Sequence, residues 1–139
     1  MEDLPKVVFK DRRYIPKRER GIYFLLENEE IIYIGASDCI YQRLTNSLTR
    51  DHPVGKYSDM LVLQSLGFSS FTDINRQEFL AYKNECKYYW NVFKETVVVS
   101  WWLLPSVSRS DLIKFEGILI EQYQPRINCK HTTRAKKCV

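Results

Sequence analysis

The stretch from Gly21 to Gly35 constrains the fold more than any other. It holds two β-rich runs, GIYFLL and IIYIG, joined by the four polar residues Glu27 to Glu30, which is the pattern of an antiparallel hairpin. Side chains alternate faces along a strand, so the register of this hairpin decides where its tyrosines point. With Asn28 and Glu29 as a regular two-residue turn, Phe24 would face Tyr33, and Tyr23 and Tyr33 would lie on opposite faces. An odd loop or a bulge reverses this. That register is preferred, because it puts Ile22, Phe24, Leu26, Ile32 and Ile34 against a core and Tyr23, Leu25, Ile31 and Tyr33 together on the other side.

A third β-rich run, TVVVSWWLL from Thr96 to Leu104, is dominated by β-branched and aromatic residues, as in a central strand covered on both faces, and is expected to be the third strand of the sheet. Ser37 or Asp38 is read as the cap of a helix to about Thr49 with Ile40, Leu44 and Leu48 as its buried stripe, leaving Arg43 off that stripe. His52-Pro53 and Gly55 are read as a break. Asp59 to Leu66 is ambiguous between helix and strand. A long helix is expected from Asp73 to about Phe93, with Phe79, Cys86, Trp90 and Phe93 roughly in phase. A last helix, capped by Ser108 or Ser110, should run to about Tyr123 and end at Pro125, with Leu112, Phe115 and Leu119, and Ile113 and Ile120, as apolar rows. The expected fold class is α+β: a small three-stranded antiparallel sheet flanked by helices.

At 139 residues, 45% hydrophobic and 27% charged, the chain suits a single domain, 1–139, able to bury a core without a disulfide scaffold. Cys39, Cys86, Cys129 and Cys138 form no CxxC pair and are read as reduced thiols; Cys129, His131 and Cys138 are irregularly spaced for zinc. The first twenty residues are polar and charged, and no apolar run approaches the ~20 residues that would span a bilayer, so a cytoplasmic protein is expected, or one of the nucleoid or, from a eukaryotic source, the nucleus. The net charge of +4 is concentrated at the ends, in a basic N-terminal segment, 1–20, and a basic tail, 129–139. Such ends are read either as solvated and partly disordered or as phosphate contacts, with Arg20, Arg50, Arg126 and Lys130 as candidate DNA-binding residues.

Glu116 is the most informative acid. It stands in a helix interior among apolar neighbours, where a carboxylate is costly unless paired or bound to a cation, and hard divalent ions take such oxygen ligands. The alternative is a surface glutamate paired with Lys114 or Lys130. Gly117 beside it suggests a close backbone approach.

Taken together, Gly21-Ile22-Tyr23, Tyr33-Ile34-Gly35 ten residues on, Arg43 ten further, the Glu116 helix and Pro125-Arg126-Ile127-Asn128 closely resemble the GIY-YIG nuclease family. The resemblance covers Gly21 to about Arg50 and Val97 to Asn128. It implies a DNA endonuclease dependent on a single Mg²⁺ or Mn²⁺. By the same resemblance Glu116 is the metal ligand, Arg43 a clamp on the scissile phosphate, Tyr23 and Tyr33 orient or activate the attacking water, and Asn128 braces the site. Phosphodiester hydrolysis needs these parts: a Lewis acid, a fixed cation and a proton acceptor. With an ordinary pKa near 10, Tyr23 serves as that acceptor only if cationic groups depress it.

The chain departs from the family where many members carry a histidine or tyrosine one turn after the arginine, because Ser47 stands there. His52 folding back, a site working with Tyr23 alone, and reduced activity remain open. The reduced case is a nucleic-acid-binding domain on the same scaffold with weakened catalysis. The insertion at about 51–95 is expected to hold a substrate-recognition or homodimerisation element using Tyr88, Tyr89 and Trp90, or else to fill a second small core.

Overall fold

A computed structural model describes residues 3–47, 53–67 and 75–131. Its centre is an antiparallel sheet of β1 (Lys6–Val8), β2 (Gly21–Glu27), β3 (Glu30–Ser37) and β4 (Val98–Leu103), in the order β1-β4-β2-β3. The β-branched and aromatic run of β4 lies inside the sheet, between β1 and β2, where both ladders and both faces are used. The sheet therefore has four strands, where three were expected. β1 is only Lys-Val-Val, too short to carry a period-two signal. Pairing of Val7 with Val99 makes it a strand, and the N–H of Phe9 continues the ladder to the carbonyl of Val97 at 2.9 Å.

A 3₁₀ turn over Phe9–Tyr14 follows, and Phe9 and Ile15 are both buried. Much of the basic N-terminal segment is thus folded onto the sheet, because these two apolar side chains anchor it between its exposed cations.

The hairpin register combines a tight turn with a bulge. Asn28 and Glu29 take φ of 52° and 67°, the left-handed pair that matches the twist of a two-residue hairpin. Glu27 then faces Glu30 and Leu26 faces Ile31, but Leu25 faces Tyr33, so Ile32 is the extra residue of a bulge. Beyond it Phe24 faces Ile34 and Tyr23 faces Gly35. Tyr23, Leu25 and Tyr33 consequently share one core with Val99 and Trp101, while Ile22, Phe24 and Ile34 share the other. Two residues depart from expectation: Ile32 packs on the tyrosine side and Ile31 on the aliphatic side, because the bulge falls between Ile31 and Tyr33 and not in the turn.

Helices cover both faces. On the tyrosine side lie α1 (Ile40–Gln42), which continues as a π-helical turn over Arg43–Ser47, and α2 (Pro53–Ser65). Ile40, Leu44 and Val54 from these elements join the tyrosine-side core. The N-cap of α1 is Cys39; the Ser37 hydroxyl acts just before it, accepting the Cys39 N–H at 3.0 Å. Pro53 opens α2 and does not break it, since a first-turn proline gives up no intrahelical hydrogen bond.

The long helix expected next is two, α3 (Arg76–Ala81) and α4 (Lys83–Thr96), separated at Tyr82, whose φ of −104° and ψ of 13° are not helical. A capping box between Asn75 and Glu78 starts α3. Trp90 and Phe93 of α4 stack at 5.8 Å and belong to the same core as Tyr23, so these residues of the insertion enlarge the main core and do not form a second one.

On the other face lies α5 (Arg109–Tyr123), whose N-cap Ser108 accepts the Asp111 N–H at 3.1 Å. The buried stripe of α5 is Leu112, Glu116 and Ile120, one residue per turn. Phe115 and Ile113, expected to be apolar contacts, are exposed, because the sheet meets the helix along the stripe that contains the carboxylate. The chain reverses at Gln124, with φ of 49°, and enters a further helix, α6 (Arg126–His131), which continues past the point where the tail was expected to leave the fold. Cys39 and Cys86 are free thiols, whereas Cys129 is disulfide-bonded, so the expectation of four reduced cysteines fails there. Among the described residues no helix is long and apolar enough to cross a membrane.

Candidate active site

Tyr23 and Tyr33 lie diagonally across the hairpin with ring centroids 6.1 Å apart and planes tilted by 39°. What allows this is Gly35. A Cβ at Gly35 would collide with the end of the Tyr23 ring, at Cζ, the hydroxyl and Cε1, so the phenol is laid across the glycine that faces it. Since β3 is the edge strand, the hydroxyl end of Tyr23 is carried over the border of the sheet. Gly21 answers a different constraint: a Cβ there would strike the Trp102 carbonyl on β4. Both motif glycines are explained by close approach, one of a ring and one of a backbone.

The Tyr23 hydroxyl is in polar contact with the Arg43 guanidinium and with Tyr33. Burial pushes the Tyr23 phenol well above its ordinary value, the neighbouring Tyr33 pushes the same way, and Arg43 opposes both without overcoming them. Tyr23 is therefore a neutral hydroxyl at physiological pH. Arg43 opens the π-helical turn, a backbone feature frequent at functional sites, and is half-buried.

Asn128 serves the same strand from outside. Its side-chain oxygen accepts the Ile34 N–H at 2.8 Å and its amide nitrogen donates to the Ile34 carbonyl at 2.9 Å, so one side chain takes the place of a missing neighbouring strand. Ile34 stands between Tyr33 and Gly35, and the clamp thus holds the segment that positions both phenols.

Beside Arg43 opens a cleft of about 420 Å³ between the turn after β3 and the first turns of α5. Ser37, Asp38, Gln42, Arg43 and Arg109 give it a polar wall, and Leu112 and Ile113 an apolar one. Glu116 follows Leu112 by one turn on the buried face of α5 and is 3% exposed. Its burial excludes the surface position of the alternative reading, and Lys114 pairs with Asp111 at 4.0 Å. The structure thus sets Arg43 and Tyr33 beside the Tyr23 hydroxyl and joins Asn128 to the strand that carries Tyr33, whereas Glu116 stands on α5 at the opposite face of the sheet from the two tyrosines, one turn beyond Leu112, and is not among the residues that line the cleft. Among the described residues no group of three or more His, Cys, Asp and Glu could hold a metal. A single carboxylate such as Glu116 still suits Mg²⁺ or Mn²⁺, since such ions are held by one or two carboxylates with water and substrate phosphate completing the shell.

The candidate DNA contacts fare unevenly. Arg126 pairs with Glu27 at 2.6 Å and Glu30 at 3.6 Å, and so fastens α6 to the hairpin turn. Arg20 donates to the Val107 carbonyl at 2.6 Å and pairs with Asp38 at 3.0 Å, which joins the start of β2 to the loop before α5. Both guanidiniums are occupied by structural partners, which argues against a primary phosphate role. Arg50 and His52, and the side chains of Ser47 and Lys130, lie outside the described residues. The residue that sequence reading missed is Arg109: a solvated first-turn arginine carries no signal until the fold sets it across a cleft from Arg43.

Comparison with family models, with curated proteins and with solved structures gave no match.

Proposed function

We propose that the chain is a GIY-YIG-type endonuclease that hydrolyses DNA phosphodiester bonds with Mg²⁺ or Mn²⁺. The observation that supports this reading is the placement of Arg43 beside Tyr23, whose ring pairs with that of Tyr33, next to a cleft lined by Arg43 and Arg109. In this reading Glu116 holds the cation, which when bound supplies Lewis-acid stabilisation of a nonbridging phosphate oxygen. Arg43 meets the scissile phosphate and neutralises charge that develops on it. Its half-burial supports that role, because a guanidinium partly withdrawn from water acts on an anion at lower effective dielectric.

Tyr23, kept neutral by burial, orients the attacking water as a hydroxyl; it acts as a proton acceptor only after its environment becomes more cationic than it is in the free protein. Asn128 keeps the Tyr33-to-Gly35 segment at fixed height, so its effect on catalysis is one of positioning.

The same neutral Tyr23 favours a second reading, a DNA-binding domain with weakened catalysis, since Ser47 stands where many family members have a further proton-transfer group. Plasmid nicking with Mg²⁺ or Mn²⁺ separates the two. The endonuclease reading expects nicking by the wild type, its abolition by chelator, and a loss of at least a hundredfold for Glu116→Ala and Arg43→Ala. Nicking by neither wild type nor variant, with DNA binding retained, leaves the binding domain; equal nicking by wild type and Glu116→Ala refutes the assignment of Glu116.

A further inference from the structure

The cleft beside Arg43 has a second guanidinium. Arg109, the first residue of α5, lines it together with Arg43, from the opposite side. The two arginines differ in what restrains them. Arg43 is half-buried and beside Tyr23, whereas the side chain of Arg109 is 76% exposed and, among the described residues, pairs with Asp38 at 3.7 Å. Asp38 is itself shared, and its shorter pairing, at 3.0 Å, is with Arg20. An exposed pair of this length contributes little, so Arg109 leaves it for a competing anion at small cost, while Asp38 stays paired with Arg20.

The composition of the walls also suits a strand of nucleic acid. Charged groups stand on the β3 side and at the start of α5, and Leu112 and Ile113 present an apolar surface beside them, as suits a backbone that alternates phosphates with less polar sugars. Arg20, Arg43 and Arg109 against Asp38 leave the rim cationic before any substrate arrives.

We infer that Arg109 is a second phosphate-contacting residue, which exchanges Asp38 for a backbone phosphate next to the scissile one and so makes the cleft select a polynucleotide over a single phosphoester. The inference rests on the endonuclease reading for the identity of the scissile position. Arg109 acts on binding and positioning, and Arg43 on the reacting group. Arginine suits the task because its planar fork grips a phosphate oxygen pair while remaining charged at every relevant pH.

The experiment compares wild type with Arg109→Gln, Arg109→Lys and Arg109→Glu on a labelled short DNA duplex. Affinity is measured by anisotropy at several salt concentrations without catalytic metal, and cleavage of the same duplex is measured with Mg²⁺. Arg109→Gln is expected to weaken binding about two- to fivefold, as for loss of one exposed charge contact, and to lower the slope of log Kd against log salt by about one. KM rises by the same factor with kcat unchanged. Arg109→Lys restores most of the slope, and Arg109→Glu weakens binding further.

Identical affinity and slope for wild type and Arg109→Gln overturn the inference while leaving the endonuclease reading intact. A loss confined to kcat overturns it as well. Wild type that shows no salt-dependent binding of DNA overturns both, and that outcome is visible without any variant. Absence of cleavage with binding retained overturns only the endonuclease reading, since affinity and slope still decide whether Arg109 contacts phosphate.

Discussion

Replacing Asn128 with Ala tests how the edge strand is held. Asn128 is 2% exposed and makes two hydrogen bonds with Ile34, which is itself fully buried. Truncation removes both bonds, and the covering helix α6 leaves little room for water to replace them. Each buried backbone group left unsatisfied costs about 1–3 kcal/mol. Two such groups set the loss at about 2–6 kcal/mol, and relaxation of the edge strand toward other partners favours the lower part of that range, about 3 kcal/mol. For a chain of this length that lowers the thermal midpoint by roughly 10 °C.

Urea denaturation of Asn128→Ala gives the free energy, and hydrogen exchange at the Ile34 amide gives the location, because that amide loses its acceptor. Asn128→Asp retains an acceptor for the Ile34 N–H but sets a carboxylate against the Ile34 carbonyl, and is expected to be no more stable than the alanine variant. A cost below about 0.5 kcal/mol with unchanged exchange at Ile34 would refute the argument that Asn128 substitutes for a neighbouring strand.

Gly35→Ala should force the Tyr23 ring off the strand, destabilising the protein by about 1–3 kcal/mol and lowering any nicking activity; an unperturbed melting temperature contradicts the close packing seen at that glycine. Tyr23 has its folded pKa raised above the unfolded value near 10, so the stability that it contributes is complete below about pH 10 and lost as pH rises through the folded value. Comparing wild type with Tyr23→Phe by alkaline denaturation should therefore show the wild type losing stability faster above pH 10, and parallel curves would disprove the shift. Ser108→Ala should cost about 0.5–2 kcal/mol through loss of the α5 cap, read by urea denaturation, and no change would show that Ser110 or solvent replaces it.

Much of the frame was legible along the chain because it follows from local rules. Alternation and turn residues marked the hairpin, β-branching marked β4, and Ser108 marked the start of α5. The candidate residues Tyr23, Tyr33 and Arg43 were read from motif spacing, and the shifted register, from an odd loop or a bulge, from the need to keep aliphatic side chains on one face. What could not be read depended on partners distant in sequence. β1 is three residues long and exists through pairing with β4. Trp90 and Phe93 count as core of the main sheet only because α4 lies over the tyrosine face. Arg20 and Arg126, basic and unremarkable in sequence, are drawn into ion pairs by carboxylates that the fold delivers.

Sequence by itself therefore determined the hairpin, β4, the start of α5 and the side-chain types on which the proposed reading draws. Tertiary structure alone decided which of those side chains come together. Hydrophobic patterning acts over a few residues and specifies faces. The protonation of Tyr23, the clamp of Asn128 on Ile34 and the lightly held Arg109 across from Arg43 depend on burial and on distances between groups far apart in the chain, which exist only after the faces have closed on one another.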